Sequence, residues 1–339
     1  MVTRNLHDAK RLKKDEWYTL YEDIESEVGN YDLRGKTILC PCDDYEKSNF
    51  ARYFQDNFER LGLKKLICTC KGSDQISMFG DNREGKILVL GKERKTGSID
   101  GDFRSEALAK LKSEADVIVT NPPFSLFREF IGWAKEKPFL VIGSQNAITY
   151  KEVFPLIREG LIRTGHNTGM EFIVPAEYRD RLPHRIVNGK TLVRLGSSCW
   201  FTNLESEKKS EPLHLMTMEE NLRSNQKLIN KCKREGWVRD GKPYYPRYDN
   251  YEAIEVPFAE AIPLDFEGVM GVPVTAIDKL EGFKIVGLAA GNSKASRLYY
   301  EAVYTPHPND RGGCGVINGG RVYARILISP GEGLSKAQW

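Results

Sequence analysis

No run of about 18 apolar residues occurs in the chain, so no segment is expected to cross a membrane as a helix. The opening stretch Met1-Val2-Thr3-Arg4-Asn5-Leu6-His7 has no apolar core of the kind a secretory signal carries. Seven cysteines, an odd number spread along 339 residues, fit reduced thiols in a cytoplasm and disfavour a disulfide framework. The five histidines have no metal-like spacing, and no metal site is expected. No Gly-x-Gly loop follows the first apolar run, Thr37-Ile38-Leu39-Cys40, which argues against a dinucleotide pyrophosphate site. A nucleophile elbow, a phosphate loop, an acid-acid-lysine nuclease site, internal repeats and low-complexity tracts are missing too. Charge is equally reticent: a net +3 does not announce a nucleic-acid binder, although a small bias can conceal a basic face.

What is present reads as a globular α/β protein. Apolar residues make up 40% and charged residues 29% of the chain, and the length suits one large domain with a smaller appended region. Arg4, Lys10, Arg11, Lys13 and Lys14 form a basic start, either a solvated tail or an arm on DNA phosphates. A short helix is expected within 16–28. Thr37–Cys40 reads as a strand. From Ser48, a plausible N-cap, Phe50, Tyr53, Phe54, Phe58 and Leu61 follow on one helical face, and Lys65–Cys70 is a second strand. Residues 71–101 read as an insertion or hairpin around Lys86–Leu90. Ser105–Leu111 is helical, Asp116–Thr120 a strand, Phe127–Ala134 a helix and Phe139–Ile142 a strand, with a further helix near Thr149–Glu159. Glu171–Val174 and Thr191–Phe201 supply further strands. Alternation of this kind predicts a doubly wound, mostly parallel sheet over residues 1–205. A charged, helical linker is placed at 206–240 and a smaller β-rich region at 241–339.

The chemistry concentrates at Asn121-Pro122-Pro123-Phe124, directly after the strand Asp116–Thr120. In open α/β sheets, ligands sit beyond the carboxyl ends of the strands. The amino nitrogen of adenine is a poor nucleophile because its lone pair is delocalised into the ring. Two acceptors aimed at its hydrogens localise that lone pair as the nitrogen attacks a methyl sulfonium. The Asn121 side-chain carbonyl and the Pro122 backbone carbonyl are suited to this, and the proline pair stiffens the loop that holds them. Phe124 offers a flat face for a base flipped out of a duplex. The plain alternative is a strand-ending turn, since Asn-Pro is a common turn dipeptide.

Weaker signals surround this motif. Asp102-Phe103 is suited to accept from a cofactor's adenine amino group and to stack beside its ring. Asp43-Asp44 closes the first strand, where a cofactor's methionine ammonium or ribose hydroxyls are expected, or else acts as an anion near a helix N-terminus. Cys40, Cys42, Cys68 and Cys70 form Cys-x-Cys pairs that read more simply as inward residues of buried strands than as a zinc site. Pro41-Cys42 is similar to the nucleophile dipeptide of cytosine-C5 methyltransferases, but it stands on the first strand, where the cofactor belongs.

Taken together, the chain resembles the EcoRI-type adenine-specific DNA methyltransferase family. The similar stretches are Asp15-Glu16-Trp17-Tyr18-Thr19 through Glu25, Cys42-Asp43-Asp44 with Ser48-Asn49-Phe50, Leu61-Gly62-Leu63-Lys64-Lys65 and Asn121 to Phe124. Trp200 to Leu204, Tyr248-Asp249-Asn250-Tyr251, Gly268 to Pro273 and Asn318-Gly319 with Arg321-Val322-Tyr323 complete them. Their order is similar to the gamma arrangement of amino-methyltransferases. The resemblance implies a Rossmann-like class I methyltransferase domain using S-adenosyl-L-methionine to methylate adenine N6 at a specific site in double-stranded DNA. It implies that Trp17, Tyr18 and Thr19 hold the methionine end of the cofactor. Cys42 with Asp43 or Asp44, Asp102-Phe103 and Asn121 then line the rest of the pocket.

It also implies a target-recognition region at about 240–330. There Asn292, Lys294, Arg297 and Arg321 are the preferred DNA contacts, with a solvated surface charge as the plain alternative for each. A partner restriction endonuclease, if one exists, is expected to be a separate chain. One departure stands out: the second strand ends Cys68-Thr69-Cys70-Lys71, without the acid that usually meets the ribose hydroxyls in this fold. The competing readings are an enzyme of the same fold acting on cytosine N4, RNA adenine or a protein amide, and a DNA-binding module without activity.

Overall fold

The computed structural model describes residues 17–72, 85–174, 183–206, 213–291 and 304–331. The basic start of the chain and the candidates Asn292, Lys294 and Arg297 lie outside the described residues. The chain divides into two compact units, Met1–Gln145 with Ile162–Lys209, and Asn146–Leu161 with Ser210–Trp339.

In the first unit β1 (Tyr18–Thr19) leads into α1 (Tyr21–Val28), β2 (Thr37–Cys40), α2 (Asn49–Asp56) and β3 (Lys65–Cys70). Next come β4 (Gly85–Leu90), β5 (Arg94–Ile99), α3 (Glu106–Glu114), β6 (Val117–Thr120), α4 (Phe127–Ala134) and β7 (Phe139–Ser144). After residue 162 the unit resumes with β8 (Arg163–Thr168), β9 (Glu171–Val174), β10 (Arg185–Val187), β11 (Lys190–Arg194) and β12 (Ser198–Thr202).

The large sheet has eight strands in the order β5-β4-β3-β2-β6-β7-β12-β8. Its centre, β3-β2-β6-β7, is parallel. Those strands carry solid apolar runs such as Thr37-Ile38-Leu39-Cys40 and Val117-Ile118-Val119-Thr120, buried at every position, as strands covered on both faces require. The flanks differ from the mostly parallel sheet expected: β4 and β5 on one side and β12 and β8 on the other pair antiparallel. The cause on the first side is local. Only Gly91, Lys92 and Glu93 separate β4 from β5, too short a link for the crossover a parallel pair needs. The charged, exposed β5 then closes that edge.

Two features of this unit position the site. Because β2 and β6 are parallel neighbours, the residues after Cys40 and after Thr120 emerge side by side at one edge. A second, antiparallel sheet, β1-β9-β11-β10, sets Tyr18 opposite Ile173 and Thr19 opposite Phe172. Behind β1, the wholly buried Glu27 accepts from the Tyr31 hydroxyl at 2.8 Å and from the His166 and Asn167 amides, tying α1 to β8. Ser48 is the N-cap of α2, as its sequence position suggests; its Oγ accepts from the Phe50 amide at 3.1 Å.

In the second unit a short helix, Phe154–Arg158, accompanies α5 (Met218–Ser224) and α6 (Gln226–Glu235). Within the helical linker expected at 206–240, the helix is broken at Asn225, which ends one helix and caps the next. Beyond it lie β13 (Val238–Arg239), β14 (Lys242–Pro243), β15 (Ala253–Glu255), β16 (Val269–Pro273), β17 (Phe283–Ala289), β18 (Val316–Ile317), β19 (Gly320–Arg321) and β20 (Arg325–Pro330). The main sheet here is β15-β16-β20-β17, and the C-terminal region is β-rich. No described helix is long and apolar enough to cross a membrane.

Candidate active site at the Asn-Pro-Pro-Phe loop

Asn121 leaves the carboxyl end of β6 and turns its amide toward β1. Its Nδ2 donates to the Trp17 carbonyl at 2.8 Å, which orients the side chain. The other end, Oδ1, is buried and meets no hydrogen-bond partner among the described residues. An acceptor removed from water and left unmet costs about 1–3 kcal/mol. Thr19 carries a second such atom: the side chain is 2% exposed and its Oγ1 is buried without a partner. The Thr19 carbonyl is held in turn by Asn49 Nδ2, at 2.7 Å, from the first turn of α2.

Pro122 is buried, and Phe124 opens a short 3-10 turn through Leu126. The Phe124 ring is held edge-on by Trp17, with centroids 6.5 Å apart, and by Phe172 at 6.1 Å. Tyr18 is half-buried on β1.

Around the end of β2 the two acids behave differently. Asp43 is 4% exposed, and both of its oxygens are taken: Oδ1 accepts from Ser48 Oγ and Oδ2 from Thr120 Oγ1, each at 2.5 Å. Burial pushes its carboxyl up to about 6, against the pull of the two hydroxyl donors. Asp44 accepts from the Glu46 amide at 3.0 Å and lies 3.7 Å from the Lys86 ammonium. Cys42 is half-buried beside it, and burial raises its thiol.

Asp102 reaches the neighbouring strand end. Gly101 packs so tightly there that a Cβ would lie 2.0 Å from the Cys70 carbonyl, and Asp102 stands 3.5 Å from Lys71. Arg104 grips the Asp102 carboxylate from Nε at 2.8 Å and Nη2 at 2.7 Å, holding it well below the usual carboxylate range. The Phe103 ring is buried between Phe130 and Trp133, at 5.2 and 5.8 Å.

Trp17, Thr19, Asp43, Asp102, Asn121 and Phe124 thus share one unit and one edge of its large sheet. Sequence reasoning passed over Thr120. The available signal was a hydroxyl in the last position of an otherwise apolar, fully buried strand. Cys40 and Cys68 face each other across β2 and β3 as buried free thiols. Arg321 stands in the second unit, exposed on β19, with Nε donating to the Asn309 carbonyl at 2.6 Å.

A buried, unpartnered Asn121 Oδ1 thus stands at the end of a central strand of a parallel-centred sheet, in an Asn-Pro-Pro-Phe loop. The profile of the family described as adenine-specific methyltransferase EcoRI matches residues 5–330. The Type II methyltransferase M.EcoRI of Escherichia coli is 37% identical over 310 residues, covering 84% of this chain and 89% of that protein. The Type II methyltransferase M.MpnI of Mycoplasma pneumoniae is 34% identical over 335 residues, covering 94% of this chain and 96% of that one. The Type II methyltransferase M.MgeORF184P of Mycoplasma genitalium is 32% identical over 341 residues, with the same coverage of 94% and 96%. No solved structure matches the chain. The chain belongs to the EcoRI family of adenine-specific methyltransferases, and its activity is site-specific adenine methylation.

Proposed function

We propose that this enzyme transfers a methyl group from S-adenosyl-L-methionine to N6 of an adenine flipped out of a specific site in double-stranded DNA. The observation that carries the proposal is the buried, unmet Oδ1 of Asn121. The first unit is read as a Rossmann-like class I domain, and residues from about 241 onward as the target-recognition region. This substrate places its work in the cytoplasm, with any cognate endonuclease a separate chain.

The residues fit the cofactor. Thr19 Oγ1 is a buried hydroxyl without a partner, suited to the methionine carboxylate or ammonium, and Asp102 is held charged at the strand end where an adenine amino group would be met. When bound, the sulfonium supplies an electrophilic methyl group. Asn121 Oδ1 and the Pro122 carbonyl accept from the two N6 hydrogens, which keeps the nitrogen lone pair off the ring and aimed at that methyl. With the cofactor bound, the nitrogen–carbon bond would form as the carbon–sulfur bond of the donor broke, and the N6 proton would pass to solvent. Phe124, braced by Trp17 and Phe172, supplies the stacking face for the flipped base. The direct test is incubation with tritiated cofactor and duplex DNA followed by nucleoside analysis. Label in N6-methyladenine is expected; label in N4-methylcytosine, or only in RNA or protein, overturns the assignment.

DNA contact is assigned to the hairpin of β18 and β19. Its turn, Asn318-Gly319, has φ of 50° and 74°, and Asp249 accepts both turn amides, at 3.3 and 2.8 Å. Asn250 braces the hairpin through the Cys314 carbonyl and the Val316 amide. On this stiff base the Arg321 Nε is held by the Asn309 carbonyl, and among the described residues its terminal nitrogens stay available for a guanine edge or a phosphate. Arg321→Ala is expected to weaken cognate-duplex binding by about 1–3 kcal/mol. Turnover at saturating DNA should be retained. Anisotropy titration that finds unchanged affinity removes Arg321 from the interface.

A further inference from the structure

The family resemblance offers Asp43 or Asp44 to the cofactor pocket; in the structure each Asp43 oxygen accepts from a protein hydroxyl. One hydroxyl belongs to Ser48, which also caps α2; the other belongs to Thr120, the residue before Asn121. Asn49, next to Ser48, holds the Thr19 carbonyl, and the Asp43 amide itself donates to the Thr69 carbonyl of β3 at 2.8 Å. The buried Asp43 carboxylate therefore joins the start of α2 to the base of the Asn-Pro-Pro-Phe loop, while its backbone amide ties the end of β2 to the end of β3. We propose that Asp43 is a positioning residue: through Thr120 it sets the height and direction of the Asn121 carbonyl, and through Ser48 it fixes the cofactor-side helix against the same point. Asp43 touches neither substrate nor reacting atoms. The proposal rests on the methyltransferase reading given above.

The physical basis is preorganisation. An acceptor must be within tenths of an ångström of its working place before the base arrives, and misplacement of about 1 Å can cost 10²-fold in rate. The last residue of a buried strand is well placed for such control, because β6 is held on both sides by parallel neighbours while the loop beyond it is not. Two acceptances at 2.5 Å from one charged group are strong, charge-assisted bonds. The groups facing Asp43 are consistent with a fixed brace. The thiols of Cys40 and Cys42 lie on its own strand and turn, both raised by burial and neutral, with Cys42 also beside Thr120. No cation among the described residues sets its charge.

Protonation removes one acceptor from the brace. Since the carboxyl is raised to about 6, the rate is expected to fall as pH drops through that value. The Asp43 contribution to folding stability moves the other way: it is fully present below the ordinary carboxylate range and is lost as pH rises through about 6. A rate loss on acidification through that value therefore does not come from the folding linkage of Asp43.

The test uses the full chain with cognate duplex, measuring single-turnover methyl transfer against pH and cofactor affinity by calorimetry. Asp43→Asn and Thr120→Val should each slow methyl transfer about 10- to 100-fold. Each should change cofactor affinity less than about threefold, and each should abolish the inflection near pH 6. Thr120→Ser, which restores the hydroxyl, should recover most of the rate. The double variant should be no slower than the worse single one, as expected for two ends of one contact. If Asp43→Asn does not fold, the two Thr120 variants decide. Wild-type-like turnover by Thr120→Val, or a loss in cofactor affinity as large as the loss in rate, overturns the positioning role. An inactive wild-type enzyme would instead refute the underlying methyltransferase reading.

Discussion

Asn121→Ala is expected to slow methyl transfer by about 10²–10³-fold, the usual consequence of deleting one preorganised group that acts on the transition state. Binding of duplex DNA should change little. The loss has two sources. The buried Oδ1 disappears, and with it the acceptor that localises the N6 lone pair. The Nδ2 donation to the Trp17 carbonyl also goes, which frees the segment leading into Thr19. Asn121→Asp separates them: it keeps an acceptor but sets a carboxylate oxygen against the Trp17 carbonyl. Both variants lose the Trp17 contact and should lose cofactor affinity, the aspartate variant more because its carboxylate opposes the Trp17 carbonyl, whereas the alanine variant alone also loses the acceptor. Single-turnover transfer of a tritiated methyl group, beside anisotropy measurements of DNA binding, reads both. Normal turnover by Asn121→Ala would remove the residue from the mechanism.

Glu255→Ala should destabilise the second unit by about 3–5 kcal/mol, the cost of leaving a buried charge without its partner. Glu255 is 0% exposed on β15. Arg325 of β20 reaches its Oε1 from Nη2 at 2.6 Å and both oxygens from Nε at 3.1 Å, and the Tyr248 hydroxyl donates to Oε2. The strand between them makes the meeting possible. Gly271 of β16 stands in register with Glu255 on one side and Leu327 on the other, and a Cβ there would lie 2.2 Å from the Tyr248 oxygen. Denaturant unfolding should show the loss. Replacing both charges, as Glu255→Leu with Arg325→Met, should recover most of it, because the main penalty is the orphaned guanidinium. A Glu255→Ala variant as stable as the parent would show that this cluster is not a support of the unit.

These two predictions also separate two kinds of legibility. Asn121 was visible from residue types and from the strand before it, since a strand end in an open sheet is where ligands bind. The blocks Tyr248 to Tyr251 and Gly268 to Pro273 were equally visible as family-like stretches, but their physical meaning was not. The structure shows that much of it is packing: Tyr248 lies over Gly271 and Gly315, either of which would clash with it if given a Cβ. A contact between positions that far apart leaves no periodic trace in the chain.

The sequence by itself determined what local rules govern. It determined the apolar central strands, the helix cap at Ser48 and the stiff Asn-Pro-Pro-Phe loop, because each depends on neighbouring residues and on the period of burial. It also carried the family, through blocks whose order runs nearly the length of the chain. Tertiary structure alone decided that β12 and β8 pair antiparallel on the far flank, that Asp102 is gripped by Arg104, and that Asp43 faces inward to Ser48 and Thr120. The reason is common to all of these. A carboxylate's role is set by which donors reach it in space, and the donor that matters most at Asp43 stands 77 residues away.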